Sequence, residues 1–247
     1  IEDSDIPILK KTLSDVKGKI QMLTEAVLDD PVLGARLKGV GVLTKEDIKN
    51  YGAVGPVARA SGVDIDVRKD DPYAAYNLVE WKVITTNNGD VFDKAVVRLL
   101  ECFESIKIIE QSLDAIYGKK GQIWKEVREI PKGEGIGHHE APRGEVFHYI
   151  RSDGNTSSPV RHKIRAPSYV NIPTFKASCI GETISDVCII LAGVDPCYCC
   201  TERIAVYDKE KNKKIYSFED LVKKSIEKTE KIRKEIGKEE KLWKKLF

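Results

Sequence analysis

The chain has 247 residues, a formal net charge of +2 and 32% charged side chains. That length can bury a sizeable core in one large or two small domains. The near-balanced charge points away from nucleic acid as a partner, and no apolar run approaches the ~18 residues that a membrane-spanning helix needs. No secretory leader pattern is present and the chain opens on Ile1 rather than Met, so a processed chain or a piece of a longer one is expected.

Apolar residues at helical spacing (Ile8, Leu9, Leu13, Val16, Ile20, Leu23, Val27) predict a long amphipathic helix over 6–28. Thr44 caps a second helix, with Asp47 at the capping-box position, and the glycine-punctuated "GAVGPVARASG" predicts a turn and a short helix; the bundle counts 44–60 as one of its long helical stretches. "VEWKVITT" reads as a strand near 80–86, and "NNGD" as its turn. A third long helix over 92–117 starts at Asp90 or Asp93. Its apolar face is Val96, Leu99, Leu100, Phe103, Ile106, Ile109 and Leu113.

After Pro131 the texture changes to glycine, proline, histidine and arginine, then short alternating segments. These predict functional loops and small antiparallel sheets within 144–170. Residues 180–192 predict a buried helix running into "VDPCYCCTER". Ser217 caps a charged helix to Phe247 with an apolar stripe of Phe218, Leu221, Val222, Ile226, Ile232 and Ile236. The fold class expected is α+β, a bundle of long helices packed against small antiparallel sheets. Its parts are a helical portion (1–130), site loops, strands and the cysteine loop (131–203), and a C-terminal extension helix (204–247).

Of six cysteines, Cys102, Cys179 and Cys188 sit singly among apolar neighbours and predict small buried core residues. Cys197 and Cys200 have the spacing at which two soft thiolates grip one metal from a single turn. One such pair is half of a four-thiolate set, which leaves a zinc knuckle, a redox pair, or a site with ligands from outside the chain. Arg143, in the glycine-flanked "EAPRGE", offers a guanidinium to anionic ligands or is a turn residue. His138 and His139 can relay protons or serve as hydrogen-bonding residues. "GEGIG" lacks the Lys-Ser/Thr of a phosphate loop, and "RHKIR" (161–165) reads as a strand with a solvated face.

Taken together, "EAPRGE" (140–145), "RAPSYVN" (165–171) and "DPCYCCTER" (195–203) resemble the C-terminal part of a [NiFe]-hydrogenase large subunit, nearest the energy-converting membrane-bound type related to respiratory complex I. "LTKEDIKNYGAVGPVARASG", "VRKDDPYAAY" and "GDVFDKAVVRLLECFESIKIIEQSL" are similar to the pattern shared with the 49-kDa complex I subunit. The resemblance covers roughly residues 1–203. The complex I relatives lack the metal-binding cysteines, so Cys197 and Cys200 favour the hydrogenase branch.

The resemblance implies nickel held by four cysteine thiolates, two of them bridging to an iron that carries CO and cyanide. Cys197 matches the terminal nickel thiolate and Cys200 a bridging one. Arg143 matches the arginine above the open coordination site, with Pro142 packing beside it. Ser168 matches a cyanide hydrogen-bond donor, and Asp195 the carboxylate that orients the arginine. A metal-bound thiolate is the implied base for heterolytic H2 cleavage. The implied partners are a small [4Fe–4S] subunit, membrane subunits, maturation chaperones and a processing endopeptidase. The implied location is cytoplasmic, peripheral on that face of the membrane.

The sequence departs from this pattern in three places. The N-terminal C-x-x-C that supplies the other two nickel thiolates, and an acid used for proton relay, are absent from the chain. Arg203 stands where many relatives bind a structural metal through histidine. Residues 204–247 extend beyond it, either as a segment that an endopeptidase removes at Arg203 or as a permanent helix.

Overall fold

A computed structural model describes residues 1–127, 130–155, 158–201 and 206–243, with backbone alone over 236–243. In chain order it contains helices α1 (Ile6–Asp29), α2 (Pro31–Leu37), α3 (Lys45–Tyr51), α4 (Pro56–Ala60), α5 (Val67–Asp70) and α6 (Val91–Ile116). Strands β1 (Gly133–Ala141), β2 (Gly144–Ser152) and β3 (Arg161–Arg165) follow, then α7 (Pro167–Asn171), α8 (Phe175–Cys179) and α9 (Ile184–Val194). Strands β4 (Val206–Asp208) and β5 (Lys213–Tyr216) precede α10 (Phe218–Trp243). The chain divides into two units, Ile1–Cys200 and Thr201–Phe247. This mixture of helices and small antiparallel sheets agrees with the expected class.

In the larger unit, the core joins Leu43, Ile48, Ala53, Val57, Ala58 and Val194, with Phe175 packed against them. The core thus ends on the residue before Asp195, and anchors the start of the cysteine loop. α1 packs along α6, yet only Ile6 and Thr24 of α1 are buried. Ile8, Val16 and Leu23 of the expected stripe stay exposed. α6 begins as expected: the Asp90 carboxylate accepts from the Asp93 amide at 2.8 Å. Its buried face also contains Asp93, Lys94 and Glu104, which apolar periodicity does not mark.

Five expectations need correction. The stretch 44–60 is not one long helix but a helix, the turn and the short helix that "GAVGPVARASG" signalled, because Gly52 and Gly55 adopt left-handed φ values of 64° and 71°. The Thr44–Asp47 capping box is present. Residues 80–86 form no strand and pair with none among the described residues. Side chains of α6 satisfy their backbone instead: Gln111 Oε1 accepts from Glu80 N at 2.8 Å, and Glu104 Oε2 accepts from Lys82 N at 3.1 Å. A side chain can replace a strand partner wherever it reaches the same amide.

Within 144–170, β2 and β3 form as expected, but Pro167 at a helix N-terminus turns 167–171 into α7. The sheet has an additional strand, β1, in the order β1-β2-β3, all antiparallel. The helix expected over 180–192 starts at Ile184 after a Thr183–Asp186 capping box and buries one side only; Ile184 is exposed. Cys188 is likewise exposed, and Cys102 and Cys179 are half-buried, so these thiols are not the interior residues that their apolar neighbours suggested.

In the smaller unit, a β4–β5 hairpin that the sequence did not signal turns through Asn212 at φ 45°. Ser217 caps α10 as expected, its Oγ accepting from Asp220 N at 3.2 Å. Arg203 and residues 244–247 lie outside the described residues.

Candidate functional site: a thiol pair beside an arginine–aspartate latch

The site is assembled by three segments. The first is the turn between β1 and β2, which carries Pro142 and Arg143. It is pressed onto the Val54–Gly55 loop so tightly that a Cβ on Gly55 would stand 2.4 Å from the Arg143 carbonyl oxygen. A Cβ on Gly144 would stand 2.6 Å from Val54. Only glycine tolerates both the left-handed backbone and this approach.

The second segment is α7. Asn171, 1% exposed, accepts from Val54 N at 2.9 Å and donates to Val54 O at 3.1 Å and to Arg143 O at 3.2 Å. One buried amide thereby ties the arginine turn to the glycine loop. Ser168, also 1% exposed, accepts from Cys197 N at 2.9 Å. A hydroxyl that accepts in this way still has its own proton to donate.

The third segment is the end of α9. Asp195 caps that helix in a left-handed conformation, φ 56°. Strain of this kind in a non-glycine residue costs about 1–3 kcal/mol and clusters at functional sites. The guanidinium of Arg143 grips Asp195 twice, Nε to the backbone oxygen at 2.6 Å and Nη2 to Oδ1 at 2.9 Å. The next turn carries the thiols, with Cys200 N donating to Cys197 O at 3.0 Å. The Cys200 thiol donates to Cys197, which with backbone donors and Arg143 holds Cys197 below the usual thiol range. Burial, then the Cys197 thiol beside it, pushes Cys200 upward. Of the pair, Cys197 is the one that ionises first. Cys199 is exposed between them.

The structure therefore brings together Arg143, Asp195, Ser168, Cys197 and Cys200. Pro142 is exposed in the arginine turn and lines a cavity of ≈ 380 Å³ shared with Arg59, Arg98, Glu101, Glu140 and Asp195. The sequence reading missed the charged wall of that cavity. Arg59, 2% exposed, donates to Glu101 at 2.6 Å and to Glu140 at 2.8 Å, and lies 3.3 Å from buried Asp66. Burial raises Glu140 above the usual carboxylate range despite Arg59. Arg98 donates to Lys94 O at 2.8 Å, while its buried Nε has no partner among the described residues. The available signals were the glycines around "GPVARASG" and the asparagine of "YVN". His138 lies apart from the thiols, held between Glu145 and Asp71 at 2.7 and 2.8 Å.

A helical body with small antiparallel sheets is compatible with the fold of the family that holds the hydrogenase large subunit and the 49-kDa complex I subunit. The chain belongs to the family described as respiratory-chain NADH dehydrogenase, 49 Kd subunit, which matches residues 2–130 and 119–203. It is 34% identical over 227 residues to the membrane-bound hydrogenase subunit alpha of Pyrococcus furiosus, covering 86% of this chain and 53% of that one. It is 41% identical over 177 residues to the carbon monoxide-induced hydrogenase of Rhodospirillum rubrum, covering 70% and 48%. It is 36% identical over 200 residues to an NADH-quinone oxidoreductase subunit of Herpetosiphon aurantiacus, covering 79% and 54%. The chain thus spans about half the length of the curated relatives it matches. No helix among the described residues is long and apolar enough to cross a membrane.

Proposed function

We propose that this chain is the C-terminal part of a [NiFe]-hydrogenase large subunit of the membrane-bound, energy-converting type. It supplies two of four nickel thiolates for reversible H2 oxidation and proton reduction. The observation that supports this reading is the Cys197–Cys200 pair in one turn, beside a guanidinium held by Asp195. Soft sulfur donors of this kind suit nickel.

When bound, the nickel–iron group supplies the Lewis acidity and redox capacity for H2 cleavage. The chain's own residues do the rest. Asp195 fixes the Arg143 guanidinium, whose donors face an anionic ligand or polarise H2. Ser168 is buried and offers its hydroxyl proton to a second buried acceptor, such as cyanide. A sulfur of the Cys197–Cys200 pair receives the proton. Electrons pass to a [4Fe–4S] cluster in a smaller partner subunit. Membrane subunits couple the reaction at the cytoplasmic face, and maturation chaperones and an endopeptidase act before assembly.

The test is nickel and iron content of the chain matured together with a polypeptide that carries the second C-x-x-C, with infrared detection of iron-bound CO and cyanide. Wild type should hold one nickel, and Cys197→Ser or Cys200→Ser should lose it while circular dichroism stays unchanged. Wild type without nickel, or serine variants that keep it, would overturn the proposal. The relatives named NADH-quinone oxidoreductase support a second reading as a quinone-reducing subunit, which the paired thiols oppose. Quinone reduction by a nickel-free assembly would favour it. Intact mass before and after nickel insertion separates a removable segment 204–247, present in a metal-free precursor, from a permanent one.

A further inference from the structure

All four histidines of the chain lie on the three-stranded sheet. Side chains alternate between faces, and cross-strand partners share one. The register pairs His139 with Val146, His148 with Gly137 and Ile164, and Ile150 with His162. His139, His148 and His162 therefore share one face, and His138 lies on the other. The rings form a ladder. His139 stacks on His148 with centroids 6.2 Å apart and planes at 13°, and His148 stacks on His162 at 5.2 Å. His148 Nδ1 and His162 Nε2 are 2.9 Å apart.

The rest of that face is free of fixed positive charge from the sheet. Arg161, Lys163 and Arg165 pair with Arg151, Tyr149 and Phe147, which places all four cationic side chains of these strands on the opposite face. The imidazole face holds Val146, Ile150 and Ile164, and Gly137 opposite His148 places no side chain over that ring. Burial, then the neighbouring imidazoles His162 and His139, keep His148 below the usual imidazole range. A neutral ring has a lone pair to give.

We propose that His148 and His162 form a surface clamp for a borderline divalent transition-metal ion, of which Zn²⁺ is the probe. Two imidazole nitrogens at Zn–N distances of ~2.0–2.1 Å stand about 3.0–3.4 Å apart on one ion, so a small swing of each ring converts the present hydrogen bond into a ligand pair. Because no three such side chains converge among the described residues, water completes the shell, with His139 stacked alongside. The ion would staple β3 to β2, the strand that starts directly after Arg143. Nothing in this argument depends on the nickel–iron reading.

The test is calorimetric titration of the full chain with Zn²⁺, in a background with Cys188, Cys197, Cys199 and Cys200 replaced by serine, which removes the exposed thiols together with the paired ones. One zinc should bind, and His162→Gln should weaken it by more than the roughly 10–100-fold that loss of an outer-shell partner costs. Equal affinity in the His162→Gln variant, or no zinc binding in the serine background, overturns the site. A second readout uses wild type. Zn²⁺ should protect His148 and His162, mapped by mass spectrometry, from diethylpyrocarbonate. Unprotected rings at saturating zinc refute the proposal even if the glutamine variant misfolds.

Discussion

Replacing Asn171 with alanine deletes a side chain that joins the arginine turn, the glycine loop and α7. Three hydrogen bonds vanish: one from Val54 N, one to Val54 O and one to Arg143 O. The site is 1% exposed, so water cannot easily replace them. At about 0.5–1.5 kcal/mol per bond, with more for each buried group left unpaired, the cost is on the order of 2–4 kcal/mol. For a chain of this size each kcal/mol moves Tm by about 2–4 °C, so a fall of roughly 4–16 °C is expected by circular dichroism. Asn171→Asp is the informative companion. It keeps an acceptor for Val54 N but points a carboxylate at two carbonyl oxygens, and should fall at least as far. If Asn171→Ala melts within about 2 °C of wild type, the asparagine is not what holds the Arg143 turn, and the account of the site's assembly fails.

Other substitutions probe other links. Arg59→Met strands Glu140 without its cation, while Asp66 keeps Arg68 at 2.6 Å, and should cost about 3–5 kcal/mol in urea titrations, with Glu140→Gln in the same chain restoring part of it. Gly55→Ala combines a left-handed backbone with a 2.4 Å approach to Arg143 O and should cost at least about 1–3 kcal/mol. Gly18→Ala, within α1 with nothing within 4 Å, should instead stabilise by up to about 1 kcal/mol. Lys94 is fully buried, and burial lowers its pKa from 10.5 to about 8 while its Nζ donates to Gly41 O at 2.7 Å. A folded pKa below the unfolded one means that the unfolded chain binds more protons between the two. Stability should therefore rise from pH 8 towards 10.5, by on the order of 3 kcal/mol relative to Lys94→Met, whose denaturation profile should lack that rise.

Local rules made several features legible from the residues alone. Both long helices of the larger unit, the Thr44–Asp47 box and the Ser217 cap depend on contacts within a few positions, so periodicity and cap chemistry suffice. The pairing of Arg143 with Asp195 was expected from the resemblance, and the structure places the two within hydrogen-bonding distance. Side chains distant in sequence were not legible in this way. Residues 80–86 look like a strand, but Gln111 and Glu104 reach their amides first. Lys94 and Arg59 look like surface charges, yet tertiary packing buries both. Cys188 looks interior until the orientation of α9 turns it outward.

By itself, the sequence determined which chemistry this protein carries: two thiols one turn apart, an arginine between glycines, and membership legible in three short motifs. The tertiary structure alone decided how that chemistry is held. Gly55, Gly144 and Asn171 come together only when α7 and the β1–β2 turn pack on the α3–α4 loop. Three of the four histidines become one pair and a stacked neighbour only through the register of three strands. Both arrangements depend on long-range pairing, which local propensity does not encode and only burial of the core enforces.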